Sequence, residues 1–207
     1  MTAIGKTSAQ LALRDPDIRL MLRVRDDEPG AFEELVETYQ HRLVAVMHHL
    51  VGNAEEAEDL AQEVFLRVYR ARKKYRPRAK FSTWLFTIAA NLAKNEMRRR
   101  KRRRNWSSLD EMQETLKDAS LQFADRKSNR QEDLEREQLS GVVGEAIATL
   151  PDRYRIALVL RDIEGLAYEE IGLALKIPGG TVRSRINRAR LMLKRKLEPW
   201  LRRDDIG

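Results

Sequence analysis

The chain has 207 residues, and 40 Lys plus Arg against 32 Asp plus Glu leave a net charge of +8. That length fits one large or two small domains at roughly 100–200 residues each; with 35 % charged and 6 % aromatic residues, small cores are expected and a large pocketed enzyme is disfavoured. The lack of cysteine excludes disulfides, thiolate zinc sites and cysteine nucleophiles, and fits a reducing cytoplasm, where the protein is expected to reside. The longest apolar runs, Leu43 to Met47 and Ile156 to Leu160, are far short of the ~20 residues of a membrane span, so no membrane insertion is expected. The first residues carry no apolar core of a signal peptide.

Apolar residues recur at spacings of three and four almost throughout, which predicts an all-α protein. Asp15 followed by Pro16 reads as an N-cap with proline at the first helical position, opening a short helix through Arg25. Pro29 and Gly30 end it. A second helix is expected over about 31–51, stopped by Gly52 and Asn53. Asn53 and Glu56 then stand at capping-box spacing for a third, reaching about Lys73. On that helix Ala57, Leu60, Ala61, Val64, Phe65 and Val68 form a core face, while Asp59, Gln62 and Glu63 lie together on another side. From Glu55 to Glu63 there are five acids and no base. An acidic stripe on a basic protein suits a basic protein partner, although charge alone favours a solvated face.

A basic loop, Tyr75 to Lys80, follows, and Ser82 is expected to cap a fourth helix that continues into an arginine run. Its core stripe is Leu85, Ile88, Ala89 and Leu92. Thr87, Asn91, Lys94 and Arg98 line the opposite side with Asn95 beside them, a set of amides, a hydroxyl and cations able to hold bases and phosphates. Asn91 to Arg104 carries net +7. Just before it, Arg76, Arg78 and Lys80 with the aromatics Tyr75, Phe81 and Trp84 could grip an unstacked base, where stacking contributes ~1–3 kcal/mol; Trp84 is open between a core role and this one. His41, His48 and His49 have no converging carboxylates and read as ordinary helix residues. No metal or cofactor site is expected.

From Asn105 the pattern weakens, and Ser107 to Leu139 carries net −4, a polar linker. About 28 such residues extend up to ~90 Å at ~3.3 Å each. Helical periodicity returns near Leu134. The expected organisation is thus two small helical domains, 14–105 and 134–203, joined by a flexible linker over 106–133.

In the second domain two helices meet at a short turn, Lys176 to Gly180, as in a helix-turn-helix. Val182, Ile186, Ala189 and Leu193 share one face and should pack on Ile171 and Leu175. Arg183, Ser184, Asn187 and Arg188 occupy the other, fork donors and short polar groups suited to base edges in a major groove. Thr181 is expected to cap this recognition helix. Pro178 to Arg203 carries net +8. Two basic segments flanking an acidic one point to two nucleic-acid-binding modules.

The sequence also resembles the extracytoplasmic-function sigma factors of bacterial RNA polymerase. The matching segments are AFEELVETYQHRL (31–43), DLAQEVFLRVYR (59–70), FSTWLFTIAANLAKNEMRRR (81–100), ATLPDRYRIALVLRDIEGLAYEEI (148–171) and GTVRSRINRARLMLK (180–194). Together they cover both domains. The resemblance implies a non-enzymatic promoter-specificity subunit, with sigma region 2 in the first domain and region 4 in the second. It implies that Asp59, Leu60, Gln62, Glu63 and Phe65 dock on the clamp of the polymerase's largest subunit. By the same resemblance Arg76, Arg78, Lys80, Trp84, Thr87, Asn91, Lys94, Asn95 and Arg98 serve the minus-ten element. Thr181, Arg183, Ser184, Asn187 and Arg188 would read the minus-thirty-five duplex, with Tyr168 and Glu169 near its backbone. An anti-sigma protein is implied as a partner, and no small-molecule substrate. Gly172 and Lys176 stand where the family usually has Ala and Gly, which predicts a slightly looser turn.

Two other readings remain at this point. A dimeric repressor or activator would bind palindromic sites without polymerase; a nucleic-acid-processing enzyme would need a clustered carboxylate, histidine or cysteine site, which the sequence lacks.

Overall fold

The Asp15 carboxylate starts the fold. Its Oδ1 accepts from the backbone N–H groups of Asp17 (2.9 Å) and Ile18 (3.3 Å), and Pro16 fills a first-turn position that needs no N–H donor. This begins α1, Pro16–Arg25. The structure is a computed structural model and describes residues 15–107 and 141–204; every regular element among them is helical. Helix α2 spans Ala31–Val51 and α3 spans Ala54–Ala71, continued by a 3-10 turn at Arg72–Lys74. Gly30 and Gly52 bracket α2 at φ 78° and 73°, left-handed conformations that cost glycine little. Asn53 Oδ1 caps α3 through Glu56 N–H at 2.8 Å. Only this half of the capping box forms, because the Glu56 carboxylate turns to Arg100.

Helix α4 spans Phe81–Ser107. Ser82 therefore lies inside the first turn and is not its cap, as the sequence had suggested. The second oxygen of Asp15 reaches Phe81 N–H at 3.4 Å instead, so one carboxylate serves the starts of α1 and α4. Its neighbour Asp17 accepts from the hydroxyl of buried Tyr39. Ile18, Met21, Leu35, Tyr39, Leu43, Met47, Phe81, Leu85 and Phe86 are fully buried between the four helices, each large apolar side chain contributing on the order of 1.5–3 kcal/mol.

In the C-terminal unit the first described residues, 141–148, are helical. Helix α5, Asp152–Leu158, runs into a π-helical turn at Val159–Ile163, where Glu164 N–H donates to Val159 O at 3.1 Å. Helix α6 is Tyr168–Leu175 and α7 is Gly179–Asp204. Glu170 caps its own helix, accepting from Ala167 N–H at 2.7 Å. The turn between α6 and α7 closes through Lys176, held at φ 55°, with Ile177 N–H donating to Gly172 O at 3.0 Å. A β-carbon on Gly172 would lie 3.1 Å from Ile177 O, so glycine lets this backbone come close. Val182, Ile186 and Ala189 are fully buried as expected, along with Ile171.

The two units pack on each other, α4 against α6 and α2 against the π turn, and their buried side chains form one continuous cluster. Arg155 donates to Leu50 O at 2.8 Å, Arg42 pairs with Glu164 at 2.9 Å, and Thr83 donates to Glu170 at 2.9 Å.

Candidate functional site: a docking helix and two nucleic-acid surfaces

Helix α3 carries the acidic candidates. Asp59 and Gln62 are exposed; Leu60 and Glu63 are half-buried, with Glu63 paired to Arg67 at 2.7 Å. Phe65 falls where the apolar stripe of α3 predicts it, and away from the contact surface that the resemblance implies. It is 8 % exposed and belongs to the core, so it can back a docking face but not form its surface. The exposed apolar groups on this helix are instead Leu66 (47 %) and Tyr69 (42 %). Tyr69 stacks on Phe32 with ring centroids 4.9 Å apart, and Arg72 sits 3.9 Å over its face. The sequence signal was present, because Leu66 and Tyr69 fall one helical step outside the Val64–Phe65–Val68 core stripe.

The loop between the 3-10 turn and α4 forms the second surface. Lys74, Tyr75, Arg76, Arg78, Trp84 and Thr87 line an open cleft of about 450 Å³. Arg76, Arg78 and Lys80 are exposed. Tyr75 is 4 % exposed and packs on both Trp84 (4.9 Å) and Phe81 (6.2 Å). Its buried hydroxyl has no hydrogen-bond partner among the described residues. Burial, reinforced by the charges of Asp15 and Asp17, pushes its pKa far up, so it stays a neutral phenol. Trp84 is half-buried: it packs on Phe81 and Tyr75 and also lines the cleft.

Along α4, Asn91, Lys94, Asn95 and Arg98 are exposed on the face that continues the cleft, and Thr87 is half-buried, its hydroxyl donating to Thr83 O at 2.6 Å. The arginine run is not uniform. Arg100 turns inward, donating to Val51 O at 2.5 Å and pairing with Glu56. Arg99 and Arg103 converge on Glu96, itself only 8 % exposed. Arg98, Lys101 and Arg102 remain on the outer surface.

On α7, Arg183, Ser184, Asn187 and Arg188 are exposed side by side, opposite the buried Val182, Ile186 and Ala189. Thr181 is not the N-cap. The helix already starts at Gly179, and Thr181 N–H donates to Pro178 O at 2.9 Å inside the first turn. Tyr168 lies under two guanidinium groups, Arg161 at 5.0 Å and Arg183 at 5.9 Å, an arrangement that orients Arg183. Glu169 is exposed beside it. Arg188 donates to Tyr154 Oη at 3.4 Å. Arg190, which the sequence reading left unassigned, is tied to Asp162 at 2.5 Å. Among the described residues no group of His, Asp and Glu is placed to hold a metal ion, and no helix is long and apolar enough to cross a membrane.

A helix-turn-helix with an open polar face, beside a helical unit with a basic aromatic cleft, is the architecture of a DNA-binding protein. Comparison with known proteins narrows the class. Residues 35–103 match the Sigma-70 region 2 family and residues 140–193 match Sigma-70, region 4. The chain is 39 % identical over 193 residues to the RNA polymerase sigma-H factor of Pseudomonas aeruginosa, covering 91 % of this chain and 97 % of that one. It is 36 % identical over 184 residues to the ECF RNA polymerase sigma-E factor of Escherichia coli K12, covering 89 % and 95 %. Among solved structures it resembles the sigma factor RpoE bound to the anti-sigma factor NepR from Bartonella quintana (TM-score 0.62, 22 % identity, 82 % of this chain and 98 % of that one). It also resembles CnrH in complex with the cytosolic domain of CnrY (TM-score 0.64, 22 % identity, 89 % and 99 %); at this identity both show the fold alone. The chain belongs to the extracytoplasmic-function sigma factors of bacterial RNA polymerase. It is a promoter-recognition factor for transcription initiation and not an enzyme.

Proposed function

We propose a division of labour among the three surfaces. The acidic side of α3, with Asp59, Leu60, Gln62 and Glu63, docks on the clamp of the polymerase's largest subunit, and Phe65 supports it from within the core. The cleft and the outer face of α4, with Arg76, Arg78, Lys80, Trp84, Thr87, Asn91, Lys94, Asn95 and Arg98, take the non-template strand of the minus-ten element. Arg183, Ser184, Asn187 and Arg188 read the minus-thirty-five duplex, with Thr181, Tyr168 and Glu169 beside its backbone. The protein works in the cytoplasm beside the polymerase and is held in check there by an anti-sigma protein; in support, the structurally similar sigma factor RpoE is seen in complex with the anti-sigma factor NepR.

The observation that carries this reading is the cleft. Its rim arginines can neutralise phosphates while Trp84, backed by Tyr75, offers an aromatic surface, and base stacking at ~1–3 kcal/mol matches the ~1.4 kcal/mol mean cost of breaking a DNA stacking step. Captured bases would therefore help keep the strands apart. The test is run-off transcription with purified core polymerase on a promoter library. The wild-type protein should add initiation at a defined promoter class, and Trp84→Ala with Lys94→Ala should lose strand opening while retaining core binding. No added initiation on any template would remove the reading.

A further inference from the structure

Arg188 stands at one edge of the exposed α7 face, and no anion lies within a turn of it on its own helix. Its neighbours three and four positions away are Ser184, Arg185, Leu191 and Met192, and these are the residues a helix places beside it. A guanidinium fixed here therefore needs a partner from another element. Helix α5, which packs against α7, supplies one. Arg188 Nη1 donates to Tyr154 Oη at 3.4 Å, across 34 positions of sequence.

Tyr154 is placed to hold that oxygen still. It is 8 % exposed and belongs to the buried apolar cluster. Its backbone N–H donates to Pro151 O at 2.8 Å in the first turn of α5, and the Arg153 guanidinium lies over its ring at 4.7 Å. The hydrogen bond from Arg188, with the charge of Arg153 beside it, draws the phenol's pKa below its ordinary value, as befits an oxygen that accepts from a cation.

The chemistry of the partner decides what the arginine can do next. Arg190, two residues on, is bound by both oxygens of the Asp162 carboxylate, at 2.9 and 2.5 Å. Such a bidentate pair offsets the charge and occupies the fork, which withdraws Arg190 from DNA. The Tyr154 hydroxyl is uncharged and accepts from one nitrogen of the guanidinium. Arg188 keeps its full charge and its remaining donors, enough for a bidentate approach to a base edge such as guanine O6 and N7. Ordering a free arginine on binding weakens affinity about threefold to tenfold; a side chain already held loses less.

We propose that Tyr154 is a positioning residue for base recognition: its hydroxyl sets the Arg188 guanidinium before DNA arrives, so that Arg188 meets its base edge in the minus-thirty-five duplex already oriented. This rests on the assignment of Arg188 to that duplex above.

The test uses the complex of the protein with core polymerase and promoter duplexes in which the minus-thirty-five element is varied one position at a time. Arg188→Ala should lose base preference at one position. Tyr154→Phe keeps the ring, its burial and the Arg153 contact, and removes only the hydroxyl. It should weaken the preference at that same position about threefold to tenfold, with no change at the position that Arg183→Ala affects and none in the denaturant unfolding midpoint. Added to Arg188→Ala, it should have no further effect, because no guanidinium is left to orient. An unaltered profile in Tyr154→Phe beside a selective loss in Arg188→Ala would overturn the positioning role and leave the base reading standing. A loss spread evenly over all positions, or one that persists in the double variant, would overturn it as well, since either marks a structural role. If Arg188→Ala changes no single position, the assignment of Arg188 to a base fails and the positioning role falls with it.

Discussion

Asp15 does the work of two capping residues, serving α1 through one oxygen and α4 through the other. Losing an N-cap costs ~0.5–2 kcal/mol, and Asp15 caps two helices, so Asp15→Ala should cost about 2 kcal/mol. Denaturant unfolding measures this; a loss below that of an ordinary surface substitution would show that the bond to Phe81 contributes nothing. Lys176 makes the opposite case. It holds a left-handed conformation, which costs a non-glycine residue roughly 1 kcal/mol, so Lys176→Gly should raise the stability of the helix-turn-helix by about that amount. No gain in the same unfolding assay would mean that the turn relaxes around lysine. Arg183, oriented by Tyr168, is expected to read a base: Arg183→Ala should cost ~1–3 kcal/mol at particular duplex positions. A uniform loss over all sequences in a binding-site selection would make it a phosphate contact.

At the scale of elements, most boundaries were legible because local chemistry sets them: Asp15 with Pro16, Gly30 and Gly52, and Asn53 all act within three residues of where they stand. Ser82 and Thr181 misled for one reason. A hydroxyl near a helix start resembles a cap, but a distant carboxylate and a proline carbonyl hold those starts. The π turn at Val159–Ile163 leaves no mark on apolar spacing. Helix α3 shows how far local pattern can be read: its acidic face follows from charge, the core position of Phe65 follows from apolar spacing, and Leu66 and Tyr69 stand outside that stripe, whereas a surface contact for Phe65 came from the resemblance alone. Charge reversal at Asp59 and Glu63 should weaken binding to core polymerase at least tenfold and leave the DNA affinity of the recognition helix intact. Unchanged polymerase affinity in a pull-down titration would refute the docking face.

For the whole molecule, the all-helical fold followed from periodicity and the family from resemblance. The packing of the two units did not. Thr83 and Glu170 are 87 positions apart, and Arg155 and Leu50 are 105 apart; no local pattern encodes such a pairing, because each partner also makes sense as a surface or capping residue of its own unit. The most direct measurement of two separate reading surfaces uses the cysteine-free chain. Single cysteines at Asn91 and Asn187, each carrying a photoreactive group, would be irradiated in the complex of the protein with core polymerase and promoter DNA. The account predicts cross-links from position 91 to the non-template strand at the minus-ten element and from position 187 to duplex at the minus-thirty-five element. Both positions cross-linking to one stretch of DNA, or position 91 reaching only duplex, would contradict it.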